Sequence, residues 1–220
     1  MYKFYDLDGV LIDSAYECFE ISSKVFYKNQ IPQDCQKLFI KFRGLVLDAK
    51  EYLVLHKSID LFLKGQILDI EKQFNLMLNL VEKYEYSQFQ KEFFDLRGAY
   101  QDSDFTNWIK LNPLTKFGRY VQKEKSNNVI IITSKNFVSA ERILDFYNIS
   151  YEDLIGAEKI ISYGNKGKVI DKLVKDNRIQ NSIFIDDSVR NLDSVKNKNV
   201  KCFFANWGYG KNSYYPVFKF

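Results

Sequence analysis

The chain has 220 residues, which is enough for one large domain or for a core domain that carries an insert. Lys and Arg total 32 and Asp and Glu total 28, so the net charge is only +4. Because lysines and acids are interspersed without a basic block, the charge pattern argues against a nucleic-acid partner. No apolar run approaches the roughly 20 residues of a membrane-spanning helix, so no membrane partner is expected either.

Three cysteines and one histidine limit the metal and redox chemistry. Cys18, Cys35 and Cys202 are widely spaced, which predicts reduced packing thiols and argues against a zinc site. His56 lies in a helical pattern, and we expect it on a helix surface rather than in a catalytic role. Asp6 and nearby acids interrupt the N-terminal apolar segment, so no signal peptide is expected and the cytoplasm is the predicted location.

The first predicted elements are a short strand and a helix. Residues 2–5 form an apolar run that predicts a buried strand. Asp13 and Ser14 can cap a helix that runs to about Lys28 and ends before Ile31-Pro32.

The stretch from there to about residue 128 has almost no strand signal. Apolar residues recur there at helical spacing and predict helices over residues 33–42, 48–64, 67–84, 86–97, 102–111 and 115–125. Because these helices stand between two strands, we expect them to form a lid inserted after the first strand. We therefore predict a core domain from residues 1–14 and 125–220, and a helical cap domain from residues 15–124.

The rest of the chain alternates between strands and helices. Strands are predicted at residues 129–132, in the region 154–161, at 183–185 and at 200–204, and helices at 136–147, 167–175 and 188–196. This alternation predicts an α/β fold with a Rossmann-like parallel sheet and right-handed crossovers.

Polar side chains stand at the ends of the predicted strands. Asp6 and Asp8 follow the first strand, residues 133–135 follow the second, and residues 186–187 follow the strand at 183–185, while Lys166 precedes a helix. The carboxyl ends of parallel strands meet at one edge of a sheet, where open α/β folds bind ligands. Two close carboxylates repel unless a cation or a shared proton lies between them. Asp6 and Asp8 therefore predict either a divalent cation or a shared proton, and a solvated turn is the alternative.

Four motifs give the chain a resemblance to a known superfamily. They are Asp6-Leu7-Asp8-Gly9-Val10, Ile132-Thr133-Ser134-Lys135, Lys166 within Asn165–Ile170, and Ile185-Asp186-Asp187-Ser188. With them the chain resembles the haloacid dehalogenase superfamily, in the phosphoglycolate-phosphatase-like branch that carries a helical cap. Trp207-Gly208-Tyr209-Gly210 is similar to a segment frequent in that branch, whereas the cap matches only loosely.

The resemblance implies a role for each acid. Asp6 would be the nucleophile that forms an aspartyl phosphate, and Asp8 would be the general acid and base. Dehalogenases of the superfamily lack this second aspartate, so Asp8 favours phosphoryl transfer. Asp6, the Asp8 carbonyl and Asp187 would hold Mg²⁺, with Asp186 as an accessory metal ligand. Asn191 stands where many relatives carry an acid, and Asp186 can take over that support of the metal.

The resemblance also implies a phosphate site formed by Thr133, Ser134 and Lys166. Lys166 would neutralise the charge on the transferring group. The residues leave alternatives open, because Thr133 and Ser134 can instead cap the helix that follows them, and Lys166 can be a solvated lysine at a helix start. Lys168 is a competing candidate for the same role as Lys166.

These observations predict a cytoplasmic, Mg²⁺-dependent phosphatase that acts on a small phosphorylated metabolite as a monomer or homodimer. Motion of the lid would exclude bulk water during phosphoryl transfer. The resemblance implies that the cap selects the substrate; Arg43 in the cap is either an anion contact or a solvated helix arginine. Two alternatives remain open: a phosphomutase of the β-phosphoglucomutase type, and a catalytically inactive binding protein that keeps the fold.

Overall fold

A computed structural model describes residues 1–28, 30–125, 128–211 and 213–220. The chain forms two compact units. The first comprises Met1–Asp13 and Pro113–Phe220, and the second comprises Ser14–Asn112. The predicted cap domain ends at residue 124, whereas the second unit ends at Asn112. The helix at residues 116–124 therefore belongs to the first unit.

The described residues form both parallel strands and α-helices. The strands are β1 (Tyr2–Tyr5), β2 (Val129–Ile132), β3 (Asp153–Ile155), β4 (Ser182–Asp186) and β5 (Val200–Phe204). The helices are α1 (Ala15–Tyr27), α2 (Cys35–Phe42), α3 (Glu51–Leu63), α4 (Ile70–Met77), α5 (Lys83–Ser103), α6 (Phe105–Lys110), α7 (Lys116–Glu124), α8 (Phe137–Phe146), α9 (Ala157–Tyr163), α10 (Lys166–Asp176) and α11 (Val189–Ser194), and a short 3-10 turn covers Arg43–Leu45.

The first unit is built on a parallel sheet with the strand order β3-β2-β1-β4-β5. Phe4 of β1 pairs with Ile130 of β2 on one side and with Phe184 of β4 on the other. Every residue of β2 and β4 is buried, which explains why their apolar residues, 129–132 and 183–185, are consecutive instead of alternating with polar ones. The predicted α/β fold with a Rossmann-like parallel sheet is confirmed.

Two sequence predictions of local structure are wrong. The predicted helix over residues 67–84 is two helices, because α4 ends at Met77 and α5 begins at Lys83. The amphipathic pattern continues through the intervening turn, where the hydroxyl of Tyr86 donates to the carbonyl of Leu78. The sequence predicts Ile160 and Ile161 in a strand region, but both lie in α9. This helix buries Ile160 and exposes Ile161.

Among its described residues, the regular elements of the second unit are all helices, and they enclose an aromatic core. The core includes the buried rings of Phe19, Phe39, Tyr52, Phe74 and Phe93. Helix α3 contributes buried residues on several faces, from Glu51 to Ile59.

His56 is one of those buried α3 residues, so its predicted place on a helix surface is wrong. The side chain is 0% exposed and stacks against the rings of Phe26 and Phe39 at centroid distances of 5.4 and 5.1 Å. Its Nε2 lies 2.8 Å from the Ser22 hydroxyl in a hydrogen bond. A single-face pattern cannot predict this position, because α3 is packed on more than one side.

A buried ion pair connects three helices of the second unit. Glu17 of α1 accepts two hydrogen bonds from the guanidinium of Arg97 in α5, at 2.7 and 2.8 Å. The indole nitrogen of Trp108 in α6 donates to the same carboxylate at 3.1 Å. All three side chains are buried, so their polar groups serve as hydrogen-bond partners for each other in place of water.

Cys18, Cys35 and Cys202 are free thiols, and the first two are buried. Within the described part of the chain, none of the helices combines the length and the hydropathy that crossing a membrane would require.

Candidate active site

Asp6 and Asp8 lie where the central strand of the sheet ends. The N–H of Asp6 continues the ladder of β1 by donating to the carbonyl of Ile185 at 3.0 Å, and the Asp6 side chain accepts from the N–H of Leu7 at 2.7 Å. Gly9 then adopts a φ of +80°, a conformation that side chains disfavour, and lets the chain turn away from the sheet. Asp6 is therefore fixed and buried at the carboxyl edge, with Asp8 half-buried beside the turn.

Lys166 reaches this edge from the first residue of α10. The side chain of Asn165 caps that helix by accepting from the N–H of Lys168 at 2.9 Å. The Lys166 ammonium lies 2.7 Å from Asp6 Oδ2 and 3.0 Å from Asp186 Oδ2. Lys166 is only 3% exposed, so it is not a solvated lysine, whereas the competing candidate Lys168 is exposed.

Asp186 is the last residue of β4 and is completely buried. Besides Lys166, its carboxylate accepts from the N–H of Ser188 at 2.8 Å. The side-chain amide of Asn191 lies 3.1 Å from both of its oxygens. Asn191 thus supports Asp186 with a neutral donor, at the position where the resemblance leads one to expect an acid.

Asp187 follows directly and completes a cluster of acids. Its Oδ2 accepts a hydrogen bond from the backbone N–H of Tyr209. One carboxylate oxygen from each of Asp6, Asp186 and Asp187 lies within 4.8 Å of the others, and all three residues are buried. The structure therefore brings together four of the predicted site residues: these three acids and Lys166.

Thr133 and Ser134 follow β2, the strand next to β1. Thr133 is buried and its Oγ1 accepts from the N–H of Lys135 at 3.1 Å, while Ser134 is half-buried. Helix α8 takes Asn136 as its N-cap residue, so neither Thr133 nor Ser134 holds the capping position that was their alternative role. Their role as ligands of a phosphoryl group stays a prediction.

Lys135 is the site residue that sequence reasoning missed. It is 2% exposed, and its ammonium lies 3.2 Å from Asp8 Oδ1. The available signal was its position directly after Thr133-Ser134 at the end of a buried strand. The two acids of the first motif thus each form an ion pair with a different lysine: Asp6 with Lys166, and Asp8 with Lys135.

The environment of the acid cluster raises the pKa values of both Asp6 and Lys166. Burial, together with the charges of Asp186 and Asp187, raises the pKa of Asp6 well above its ordinary value, although Lys166 opposes this. Burial alone would lower the pKa of Lys166, but Asp186 and Asp6 outweigh it and raise that pKa above its ordinary value. Lys166 is therefore a permanent cation that pairs directly with Asp6 and Asp186, while Asp187 adds a third buried carboxylate to the cluster.

This donor set fits a hard divalent cation. Mg²⁺ prefers carboxylate and carbonyl oxygens and binds through few protein ligands. The three close carboxylates supply such oxygens, and a divalent cation between them would reduce their mutual repulsion.

Arg43 lies in the second unit and is not the solvated arginine that was one of its two expected roles. It is buried, its Nη1 donates to the carbonyl of Val46 at 3.0 Å, and its guanidinium lies 5.1 Å from the ring centroid of Tyr52. These contacts hold Arg43 within its own unit.

Comparison with known proteins identifies the fold. No protein-family model and no curated protein sequence matches the chain. Solved structures do match it. A haloacid dehalogenase-like family hydrolase from Streptococcus pneumoniae is 17% identical with a TM-score of 0.58, covering 95% of this chain and 86% of its own. A protein described as a predicted phosphoglycolate phosphatase from Haemophilus somnus is 14% identical with a TM-score of 0.64, covering 96% and 88%.

A third match carries a different activity in its name. It is a β-phosphoglucomutase from Clostridium difficile, 20% identical with a TM-score of 0.53, covering 92% of this chain and 83% of its own. At these identities the likeness concerns the fold alone. The chain has the fold of the haloacid dehalogenase-like hydrolases, and the resemblance inferred from the four motifs is confirmed at that level.

Proposed function

We propose that the protein is a Mg²⁺-dependent phosphatase that hydrolyses a small phosphomonoester through a phosphoryl group carried on Asp6. The observation that carries the proposal is the position of Asp6, which lies 2.7 Å from a buried ammonium and within 4.8 Å of two further buried carboxylates. Such a cluster offers a nucleophile, a fixed positive charge and oxygen ligands in one place.

In the first half of the reaction, an oxygen of Asp6 attacks the phosphorus atom. The bond from phosphorus to the substrate oxygen breaks, and Asp8 gives that leaving oxygen a proton. In the second half, Asp8 takes a proton from water, the water oxygen attacks the phosphorus, and the Asp6 carboxylate is released together with inorganic phosphate. Lys166, already held against Asp6, offsets the charge of the transferring group.

Asp6, Asp187 and the carbonyl of Asp8 would hold the Mg²⁺ ion, with Asp186 as an accessory ligand. When bound, the ion supplies charge neutralisation for the phosphoryl oxygens and offsets the repulsion within the acid cluster. Thr133 and Ser134 are proposed as ligands of the phosphoryl oxygens. The proposed partner is a small phosphorylated metabolite, and neither a nucleic acid nor a membrane is proposed as a partner. The proposed location is the cytoplasm, and the protein acts as a monomer or homodimer.

A phosphomutase is the second candidate, because one protein with the same fold is named a β-phosphoglucomutase. In that reaction the phosphoryl group on Asp6 returns to a sugar phosphate instead of going to water. Incubation with β-glucose 1-phosphate separates the two activities. Free phosphate as the product supports the phosphatase, and glucose 6-phosphate without free phosphate supports the mutase.

Hydrolysis of p-nitrophenyl phosphate with and without Mg²⁺ tests the phosphatase itself. We expect Asp6→Asn to lower kcat by about 10³-fold or more, since the amide cannot act as the nucleophile. Asp176→Asn is a matched control, because Asp176 is an exposed acid that pairs with Lys172 away from the cluster. Equal activity of wild type and Asp6→Asn would refute the assignment of the nucleophile, and an inactive wild type on a panel of phosphorylated metabolites would favour the inactive binding protein.

A further inference from the structure

We propose that Trp207–Gly210, which we call the Asp187 clamp, is a positioning segment of the metal site. The inference rests on the proposed function, since it assumes that the acid cluster binds a divalent cation. The backbone N–H of Tyr209 donates to Asp187 Oδ2 and thereby selects one orientation of this carboxylate. Groups that orient a ligand carboxylate by hydrogen bonding are a recognised part of metal sites.

The clamp approaches Asp187 more closely than side chains would allow. A Cβ atom on Gly208 would lie 2.4 Å from Asp187 Cβ and 2.5 Å from its Oδ2. A Cβ atom on Gly210 would lie 2.0 Å from the Asp187 carbonyl oxygen. Both glycines are therefore required for the backbone of the clamp to lie against Asp187, as glycine permits where another group comes close.

The turn after Asp8 approaches the same carboxylate. A Cβ atom on Gly9, in the turn after Asp8, would lie 2.4 Å from Asp187 Oδ2. The backbone of the first motif and the backbone of the clamp therefore both lie close to Asp187 Oδ2. Small movements of either backbone would change the direction of its carboxylate.

Three further hydrogen bonds fix the clamp relative to the first motif and β5. The indole nitrogen of Trp207 donates to the carbonyl of Val10 at 3.0 Å, and the hydroxyl of Tyr209 donates to Asp13 Oδ1 at 3.1 Å. The N–H of Gly208 donates to the carbonyl of Ala205, which follows β5. Trp207 therefore does more than pack, because its polar atom connects the clamp to the turn that carries Asp8.

The test compares divalent-cation binding by glycine variants in the intact protein. Mn²⁺ binding is measured by isothermal titration for wild type, Gly208→Ala, Gly210→Ala and Asp187→Asn, with circular dichroism to establish folding. Gly98→Ala is the matched control, because among the described residues no atom beyond the neighbouring stretch of its own helix lies within 4 Å of the added methyl group. We expect Gly208→Ala and Gly210→Ala to bind Mn²⁺ at least about tenfold more weakly than wild type, with the control unchanged.

The kinetic readout separates positioning from general damage. The clamp variants should need more Mg²⁺ for half-maximal activity while keeping most of kcat at saturating Mg²⁺. Where an alanine variant does not fold, Tyr209→Phe replaces it: this change keeps the N–H, removes the bond to Asp13, and should weaken Mn²⁺ binding several-fold. Unchanged Mn²⁺ affinity in every folded clamp variant overturns the proposal.

The two proposals fail in distinguishable ways. A wild type that hydrolyses p-nitrophenyl phosphate while the folded clamp variants bind Mn²⁺ normally refutes the clamp alone. A wild type that binds Mn²⁺ through Asp187 and the clamp but hydrolyses none of the phosphorylated compounds refutes the phosphatase alone. A wild type that binds no divalent cation refutes the metal site on which both depend.

Discussion

Acidification should destabilise the second unit through His56. The imidazole is completely buried, and its Nδ1 has no hydrogen-bond partner among the described residues. Its surroundings are the aromatic rings of Phe26 and Phe39, the edge of Tyr27 at 5.4 Å and the hydroxyl of Ser22. A protonated ring would therefore place a positive charge in an apolar core without a carboxylate to offset it.

The size of the effect follows from the pKa of this group. Burial lowers the pKa of His56 from 6.5 to about 3 in the folded protein. The neutral ring is favoured by folding, so its contribution to stability is fully present above pH 6.5 and is lost as the pH falls towards 3. At pH 5, about 1.5 below the ordinary pKa, and at about 1.4 kcal/mol per pH unit, the free energy of unfolding should fall by about 2 kcal/mol.

The assay is urea unfolding at pH 8 and pH 5 of the otherwise wild-type protein and of His56→Leu. Both proteins carry Trp207→Phe, so that Trp108, which is buried in the second unit, is the only tryptophan and reports on that unit. Removing the bond to Ser22 costs about 1 kcal/mol at both pH values and cancels from the comparison. The leucine variant should lose about 2 kcal/mol less than the parent between the two pH values, and an equal loss in both would refute the reasoning.

Two further changes test the packing of the second unit and the start of α10. Arg97→Leu leaves the Glu17 carboxylate buried without its guanidinium and should cost about 3–5 kcal/mol in urea unfolding. Glu17→Leu combined with Arg97→Leu should cost less, and an additive loss in the double variant would contradict this. Asn165→Ala removes the cap of α10 and should cost about 1 kcal/mol in the same assay, whereas Asn165→Asp should keep most of the stability; equal stability of both variants and wild type would contradict the role of the cap.

The sequence determined the elements whose causes are local. β1 covers the predicted residues 2–5, and β2 and β5 also have their predicted bounds. Buried parallel strands are apolar on both faces, so each is visible as a short continuous run. The end of the first helix before Pro32 similarly depends only on neighbouring residues. The strand ends then indicated where Asp6, Asp186 and Asp187 would meet.

The sequence failed where burial depends on several neighbours. His56 and Arg43 were placed in helical patterns, but their exposure depends on which other helices cover them. Ile160 shows the same limit on a smaller scale, since a pair of isoleucines is compatible with a strand or with a helix that buries one of them.

Only the tertiary structure decided which charges pair. Along the chain, Lys166 is 20 residues from Asp186 and Lys135 is 127 residues from Asp8. In the folded protein each pair is in contact. The choice between Lys166 and Lys168 likewise depended on which side chain points to the sheet edge. Helical periods and caps are properties of a few adjacent residues, whereas ion pairs, pKa shifts and close backbone approaches arise only when distant segments are folded together.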